Sequence, residues 1–191
     1  MAVLRSKQIP SHGMHKVLVA VMVTLPLAVA HAQGYNETEV KAAFLYHFTS
    51  YIEYPSSAFA DTSAPFVIGV LGKSGITEAL QQAVRGKTAK GRAIAVKQVS
   101  IGQELRECHI LFVPDAEAKS LPRILEILGD SPVLLVGESE GFAAKGGTVG
   151  FFVEQKRVRF EINLDAARRA HVSIRSKLLS LAKIAKHQRR D

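Results

Sequence analysis

The chain is organised around the segment Thr38-Glu39-Val40-Lys41-Ala42-Ala43-Phe44-Leu45-Tyr46-His47-Phe48-Thr49-Ser50-Tyr51-Ile52-Glu53-Tyr54. Apolar side chains recur in it at intervals of three and four, which predicts one helix over residues 38–54. Either Asn36 or Thr38 can cap its start. Pro55 ends it, because a proline disfavours helical geometry in the residue before it. The residues predicted to share the apolar face are Val40, Ala43, Phe44, His47, Phe48, Tyr51 and Ile52. The residues predicted to face solvent are Glu37, Lys41 and Glu53.

Residues 1–32 have the pattern of a secretory signal peptide. Basic residues precede the apolar run 17–29, and small residues suited to cleavage follow it. The run is shorter than the roughly 20 residues of a membrane span, so export with release is favoured over an uncleaved anchor. Cleavage after Ala32 would remove three basic residues and lower the formal net charge from +8 to +5. We expect residues 33–191 to form a single domain without a membrane span.

The chain after residue 32 alternates strand-like and helix-like segments, which predicts a mostly parallel sheet flanked by helices. The predicted helix over residues 116–128 contains Pro122 and is expected to start anew there. The predicted strands are 65–71, 93–99, 108–113 and 132–136, and the predicted helices are 76–84 and 116–128.

The last third predicts an antiparallel hairpin of strands 146–153 and 157–164, joined at Glu154-Gln155-Lys156. Strict alternation in the second strand places Val158, Phe160, Ile162 and Leu164 toward the core and Arg157, Arg159, Glu161 and Asn163 outward. A closing helix is predicted from Ser173, with Ile174, Leu178, Leu181 and Ala185 inward. The fold class is therefore α/β, with a C-terminal antiparallel hairpin and a closing helix.

Cys108 is the only cysteine, so the chain cannot form an intramolecular disulfide. It opens a strand-like run, where a small buried thiol is ordinary. An intermolecular disulfide or a reactive thiol is the alternative in an oxidising compartment.

The sequence offers no catalytic set, and we expect a protein that is not an enzyme and has no cofactor. Gly72-Lys73-Ser74 lacks the glycine that a phosphate loop needs five positions earlier, so a plain turn is favoured over an anion site. His47, His109 and His171 lie on separate elements without metal-ligand spacing. Side chains of Cys108 and His109 should point to opposite faces of their strand and cannot act as a pair. The basic residues are not interleaved with aromatics in the pattern of a nucleic-acid-binding surface, so nucleic acid is not an expected partner.

The strongest binding candidates are the polar side of the last strand and the turn that follows the hairpin. Arginine forks suit carboxylates and phosphates, so this surface is either a solvated sheet face or a site for a partner's acidic surface or a small anionic ligand. The candidate residues are Arg157, Arg159, Glu161, His171 and Arg175. A second set of aromatics could form a dimer or partner surface, namely Tyr46, Tyr51, Tyr54, Phe151 and Phe152.

Three segments resemble the YfiR family of periplasmic regulators. They are Val40 to Phe48 followed by Pro55, the strand Glu107 to Val113, and the stretch from Gly141-Phe142 to Leu164. The resemblance implies a homodimeric periplasmic repressor that binds the periplasmic sensor domain of an inner-membrane diguanylate cyclase and keeps cyclic di-GMP low. The family's best-known member has cysteine pairs tied to redox control, and with Cys108 alone that control does not transfer. A periplasmic binding module or enzyme for a small anionic ligand remains the alternative.

Overall fold

The computed structural model describes residues 36–185, so the predicted signal peptide lies outside the described residues. The helices α1 to α5 are, in chain order, Glu37–Tyr51, Ile76–Val84, Leu121–Leu128, Leu164–Arg169 and Ser176–Leu179. The strands β1 to β10 are Ile52–Glu53, Phe66–Leu71, Thr88–Ala89, Arg92–Val99, Ile110–Val113, Leu134–Gly137, Val149–Glu154, Arg157–Ile162, Ser173–Ile174 and Lys183–Ile184. Short 3₁₀ turns occupy Ser56–Ala58, Gln103–Glu107 and Asp115–Ser120.

Eight strands form one sheet in the order β10-β8-β7-β6-β5-β2-β4-β3. Neighbours from β4 through β2, β5 and β6 to β7 are parallel, and β10 is parallel to β8. The hairpin β7–β8 and the short pair β3–β4 are antiparallel. The predicted α/β class, mostly parallel with a C-terminal antiparallel hairpin, is therefore confirmed. Strands β1 and β9 form a separate two-stranded antiparallel sheet.

Helices cover both sides of the eight-stranded sheet, and the two sides have different cores. The side under α1 and α2, here called the α1 face, is rich in aromatic residues, with Phe44 and Phe48 packed against Phe151 and Phe160. The side under α3, here called the α3 face, is mainly aliphatic and contains one phenylalanine, Phe142, among the described residues of its core.

Helix α1 starts as predicted but ends earlier and turns a different side inward. The Oδ1 of Asn36 accepts from the Glu39 N–H and caps the helix. The chain becomes extended at Ile52 and enters β1, three residues before the predicted end. The buried residues of α1 are Lys41, Ala42, Leu45, Phe48 and Thr49.

Two predictions for α1 are wrong: His47 is exposed and Lys41 is buried. The buried side is rotated because α1 packs against α2 as well as against the sheet, and because Lys41 is neutralised by a distant carboxylate.

The turn of the β7–β8 hairpin consists of Gln155 and Lys156, both with positive φ, of 50° and 60°. Two such residues form the kind of turn whose twist matches antiparallel strands. Val158, Phe160 and Ile162 are buried as predicted.

Asn163 was predicted to face outward, and it is 2 % exposed. Its Oδ1 accepts from the Ala166 N–H and its Nδ2 donates to the Ala143 oxygen. It thus caps α4, a helix that the strand pattern at 157–164 did not predict, and Leu164 belongs to that helix rather than to the strand.

The closing helix exists but is only four residues long, because β9 precedes it and β10 follows it. Leu178 is buried as predicted, whereas Leu181 is 63 % exposed and the prediction that it faces the core is wrong. Ala185 is half-buried and donates its N–H to the Ile162 oxygen, which ties β10 to the sheet.

Candidate functional site

The outward side of the hairpin brings charged and aromatic residues together on adjacent strands. Directly opposed residues of neighbouring strands share a face, and here Phe152 is opposite Arg159, Glu154 is opposite Arg157, and Lys183 is opposite Glu161. We call this surface the hairpin face, and its residues are Phe152, Glu154, Arg157, Arg159, Glu161 and Lys183. Three of the five predicted binding residues therefore lie on one continuous surface.

The cations of the hairpin face are weakly engaged within the described part of the chain. Arg159 Nε lies 3.9 Å from Glu154 Oε2, and both side chains are at least half exposed. Lys183 Nζ lies 5.8 Å from the centre of the Phe152 ring. Exposed pairs of this kind contribute at most about 1 kcal/mol. Most of the donor capacity of these side chains thus points to solvent, where an acidic partner could use it.

A surface groove of about 620 Å³ borders the hairpin face on one side. Phe152, Glu161 and Lys183 line it from the strands, and Gly141 and Ala144 line it from the segment after β6. Val153 and Ile184 are exposed on the same strands, but they are opposite the buried Val158 and Ile162 and so lie on the α1 face. The apolar part of the hairpin face is the half-buried Phe152, and aromatic and arginine side chains are enriched in protein-binding surfaces.

Arg175 and His171 lie away from the hairpin face. The Arg175 Nε donates to Glu53 Oε1 at 3.0 Å, and its N–H donates to the Tyr51 oxygen, so Arg175 belongs to the small β1–β9 sheet. His171 is exposed in the turn between α4 and β9, with φ of 51°. The five predicted residues therefore divide into one strand surface and two positions outside it.

The predicted aromatic surface is largely interior. Phe151 is 2 % exposed and packs in the core, so its assignment to a surface is wrong. Tyr46 and Tyr51 are half-buried, and Lys87 Nζ lies 4.5 Å from the Tyr46 ring centre. Phe152 is the aromatic residue of the predicted set that lies on the hairpin face.

The Tyr54 ring is half-buried, while its hydroxyl lies in the interior and donates to the His109 oxygen at 2.8 Å. Burial raises the pKa of this phenol well above its ordinary value.

His109, considered from the sequence as a metal ligand and as a partner of Cys108, is instead the centre of a buried network. Its Nδ1 accepts from the Val67 N–H at 3.0 Å, and its Nε2 lies 3.0 Å from the Ala58 oxygen. A neutral ring protonated at Nε2 satisfies both contacts. The ring stacks between Phe59 and Phe66, with ring centres 4.3 and 4.8 Å away. Burial lowers the pKa of His109. Through these hydrogen bonds and ring contacts, His109 connects the segment between β1 and β2 to the sheet.

The carboxyl ends of the parallel strands are where α/β proteins usually bind ligands, at the point where the strand order reverses. Here that point lies between β2 and β5, because the chain passes from β2 to β4 on one side and then to β5 on the other. Gly72, which follows β2 with φ of 65°, leaves room that the Glu117 carboxylate fills, since a Cβ at residue 72 would lie 2.8 Å from Glu117 Oε1.

Beside this point, Lys41 of α1 lies between two carboxylates. Its Nζ is 2.6 Å from Glu138 Oε2 and 2.5 Å from Glu37 Oε1, and Glu138 Oε1 also accepts from the Asp115 N–H. Burial lowers the pKa of Lys41, but the hydrogen bonds and charges of Glu138 and Glu37 outweigh it and hold the pKa above its ordinary value. Protein side chains thus engage one another at the edge where a substrate would be expected.

Within residues 36–185 no cluster of three or more histidine, cysteine, aspartate or glutamate residues could hold a metal ion. No helix in that range is both long and apolar enough to cross a membrane.

A profile of the YfiR/HmsC-like family matches residues 38–183. The chain belongs to this family. The match starts in α1 and ends in β10, so it includes the hairpin face, and the YfiR/HmsC-like family is one of regulators of cyclic di-GMP signalling. No curated protein matches the chain.

Two solved structures align with this YfiR/HmsC-like chain. A conserved domain protein from Vibrio cholerae O1 biovar El Tor aligns with a TM-score of 0.55 at 10% identity, covering 78% of this chain and 60% of that one. An ABC domain from Streptococcus pneumonia in complex with L-Trp aligns with a TM-score of 0.48 at 13% identity, covering 63% of this chain and 55% of that one. The chain thus spans little more than half the length of either structure.

Proposed function

We propose that this chain is a periplasmic repressor that binds the periplasmic sensor domain of an inner-membrane diguanylate cyclase, holds the cyclase inactive and so keeps cyclic di-GMP low. The observation that carries the proposal is the family match over residues 38–183. Protein binding rather than chemistry is also favoured at the carboxyl edge of the sheet, where Lys41, Glu138 and Glu117 contact other parts of the chain.

The hairpin face is the surface that we assign to the sensor domain. It combines half-buried Phe152 with the cations of Arg157, Arg159 and Lys183. An aromatic anchor within a polar rim is the arrangement in which a few side chains supply most of the binding energy. The cations would speed encounter with an acidic sensor surface and set its orientation.

The test is a pull-down of the cyclase's periplasmic domain with single charge-reversal variants. Arg159→Glu should weaken capture at least tenfold without lowering the melting temperature, because its side chain is half exposed and outside the core. The matched control is Arg123→Glu on α3, an exposed arginine paired with Glu126, which should bind like the unmodified chain. Full capture by a folded Arg159→Glu variant would remove the hairpin face from the proposal.

Arg175→Glu tests separately whether the small β1–β9 sheet takes part in binding the sensor domain. Loss of capture by both arginine variants would mean that the binding surface reaches from the hairpin face to the Glu53–Arg175 pair. Capture lost only together with the melt would show that Arg175 stabilises the fold instead.

We include a homodimer in the proposal, as the family resemblance implies, with the half-buried Tyr46 and Tyr51 of α1 as aromatic candidates for its interface. Sedimentation equilibrium over a range of concentrations measures the oligomeric state, and a monomer at all concentrations would contradict the homodimer.

The second candidate is a periplasmic binding module or enzyme for a small anionic ligand, and the groove of about 620 Å³ offers it a cavity with Lys183 beside the carboxylates of Glu140 and Glu161. Isothermal titration with small carboxylates and phosphates, on the unmodified chain and on Lys183→Glu, distinguishes the two functions. Saturable binding that Lys183→Glu abolishes, together with an unimpaired cyclase, would favour the second.

A further inference from the structure

Strand β4 has a long unpaired outer edge at the end of the sheet opposite the hairpin face. On its inner side, residues Ile94 to Val99 pair with the whole of β2. On its outer side, β3 pairs only with Arg92 and Ala93. From Ile94 onward no strand of the described chain lies against that side.

The register shows which backbone groups point outward. The Gly72 N–H donates to the Val99 oxygen, so Val99 directs its backbone polar groups toward β2. Because these directions alternate along a strand, the N–H and C=O groups of Ile94, Val96 and Gln98 point away from the sheet. Such a row of open donors and acceptors is a template for another strand.

Two hollows accompany this edge on the side of α2. The first, of about 520 Å³, is lined by the side chains of Val84, Arg85, Lys87, Ile94 and Val96 among others. The second, of about 380 Å³, continues past Gln98 to Lys73 and Glu78. The side chains of an added strand that lie opposite Ile94 and Val96 would enter the apolar part of these hollows.

Cations outnumber carboxylates around the edge. Lys73, Arg85, Lys87 and Lys97 are exposed, and three acidic residues, Glu78, Glu104 and Glu107, accompany them. The single ion pair among the described residues of this set is the exposed Lys97–Glu107 contact at 4.0 Å. A second copy of this chain would bring the same excess of positive charge to the edge, whereas a segment with carboxylates would complement it.

We propose that β4 binds an extended segment of another protein by strand addition, with apolar side chains toward α2 and acidic side chains toward Lys97. Main-chain hydrogen bonds to Ile94, Val96 and Gln98 supply affinity, and the hollows and Lys97 supply specificity. The proposal does not depend on the function assigned to the hairpin face, which is at the other end of the sheet.

The decisive variant is Val96→Pro. Proline removes an N–H that points outward while leaving the hydrogen bonds to β2 in place, and prolines are tolerated on strand edges for this reason. Val96→Thr is the matched control, because it keeps both the N–H and a β-branched side chain. Ala95→Pro tests the assignment itself, since the Ala95 N–H faces β2 and its loss should lower the melting temperature.

The probe is a library of random ten-residue peptides selected on the immobilised full chain, followed by fluorescence anisotropy with the most enriched peptide. We expect sequences that alternate apolar and acidic residues, equal binding by Val96→Thr, and at least tenfold weaker binding by Val96→Pro. Lys97→Glu should weaken binding severalfold. If no peptides are enriched, or if they bind Val96→Pro as well as the unmodified chain, the proposal is overturned.

A measurement on the unmodified chain covers the case in which Val96→Pro does not fold. Hydrogen exchange of the Ile94, Val96 and Gln98 amides should slow at least tenfold when the peptide binds, and unchanged exchange would refute strand addition. If the unmodified chain sediments as a dimer and Val96→Pro as a folded monomer, the edge is an interface between copies, and the acidic-partner proposal fails.

Discussion

The two faces of the sheet reach the same burial by different means. On the α1 face, aromatic rings pack against one another around Phe48, and the polar groups of Lys41 and His109 are each satisfied by distant parts of the chain. On the α3 face, side chains approach the backbone closely where glycines leave room, as Phe142 does between Gly137 and Gly147. The stability of the aromatic core should therefore fall most when a substitution removes side-chain volume. The stability of the α3 face should fall most when a substitution adds volume at a glycine.

Phe48→Ala tests the first half of this comparison and should have the largest effect. Phe48 is fully buried, with ring centres 5.9 Å from Phe151 and 5.4 Å from Phe160. Removing such a ring leaves a cavity and should lower the free energy of unfolding by about 3–5 kcal/mol. Urea denaturation measures it, with half-buried Phe152→Ala as the control that should cost much less. Equal losses for the two variants would contradict a core centred on Phe48.

Gly137→Ala tests the second half. A Cβ at residue 137 would lie 2.3 Å from Phe142 Cε2. The ring has little room to retreat, because the Gly147 backbone is so close to its other side that a Cβ built there would lie 2.2 Å from it. Overpacking of this kind should cost about 1–3 kcal/mol. In a double-mutant cycle with Phe142→Leu, much of that loss should be recovered. Additive losses of stability would show that the two residues do not interact and that close packing against glycines does not stabilise the α3 face.

The general architecture could be predicted from the sequence because it depends on local patterns. Runs of apolar residues and the restart at Pro122 specify the parallel strands and α3, and alternation specifies the hairpin. The orientation of α1 could not be predicted, since Lys41 is buried through a pair with Glu138, 97 residues away.

The candidate site was also predictable only where local patterns determine it, and not where it depends on contacts between distant residues. The outward positions of Arg157 and Arg159 followed from alternation, but Asn163 breaks the pattern because it caps a helix. Phe151 and Phe152 are adjacent, and only the register against β8 decides which of them is interior.

The neighbours Cys108 and His109 allow a sharper comparison, since they contribute to opposite faces as the sequence predicted. His109 has a lowered pKa in the folded chain, while in the unfolded chain it titrates near its ordinary value of 6.5. As the pH falls below about 6.5, the unfolded state therefore binds more protons, and folding is destabilised down to the folded-state pKa.

Urea titrations between pH 7 and pH 5 should accordingly show His109 contributing a loss of up to about 1.4 kcal/mol per pH unit. His109→Gln should remove this slope, whereas the exposed control His47→Gln should keep it. A slope that survives in His109→Gln would assign the acid sensitivity to other groups.

On the α3 face, Cys108 should give the smallest effect. Its thiol is 3 % exposed, packs where a Cβ at Gly69 would lie 2.4 Å away, and contacts the Glu104 oxygen at 3.8 Å. Burial raises the pKa of Cys108 to about 11, so the reactive thiolate is scarce near neutral pH. We expect maleimide to label the folded chain far more slowly than the urea-unfolded chain.

Cys108→Ser should lower the free energy of unfolding by about 1 kcal/mol, because the hydroxyl keeps a hydrogen-bond partner at Glu104. Repression of the cyclase should be the same under oxidising and reducing conditions for both proteins. A redox response that the unmodified chain shows and Cys108→Ser lacks would mean that this face opens far enough for an intermolecular disulfide, and that the tight packing against Gly69 is only one of its states.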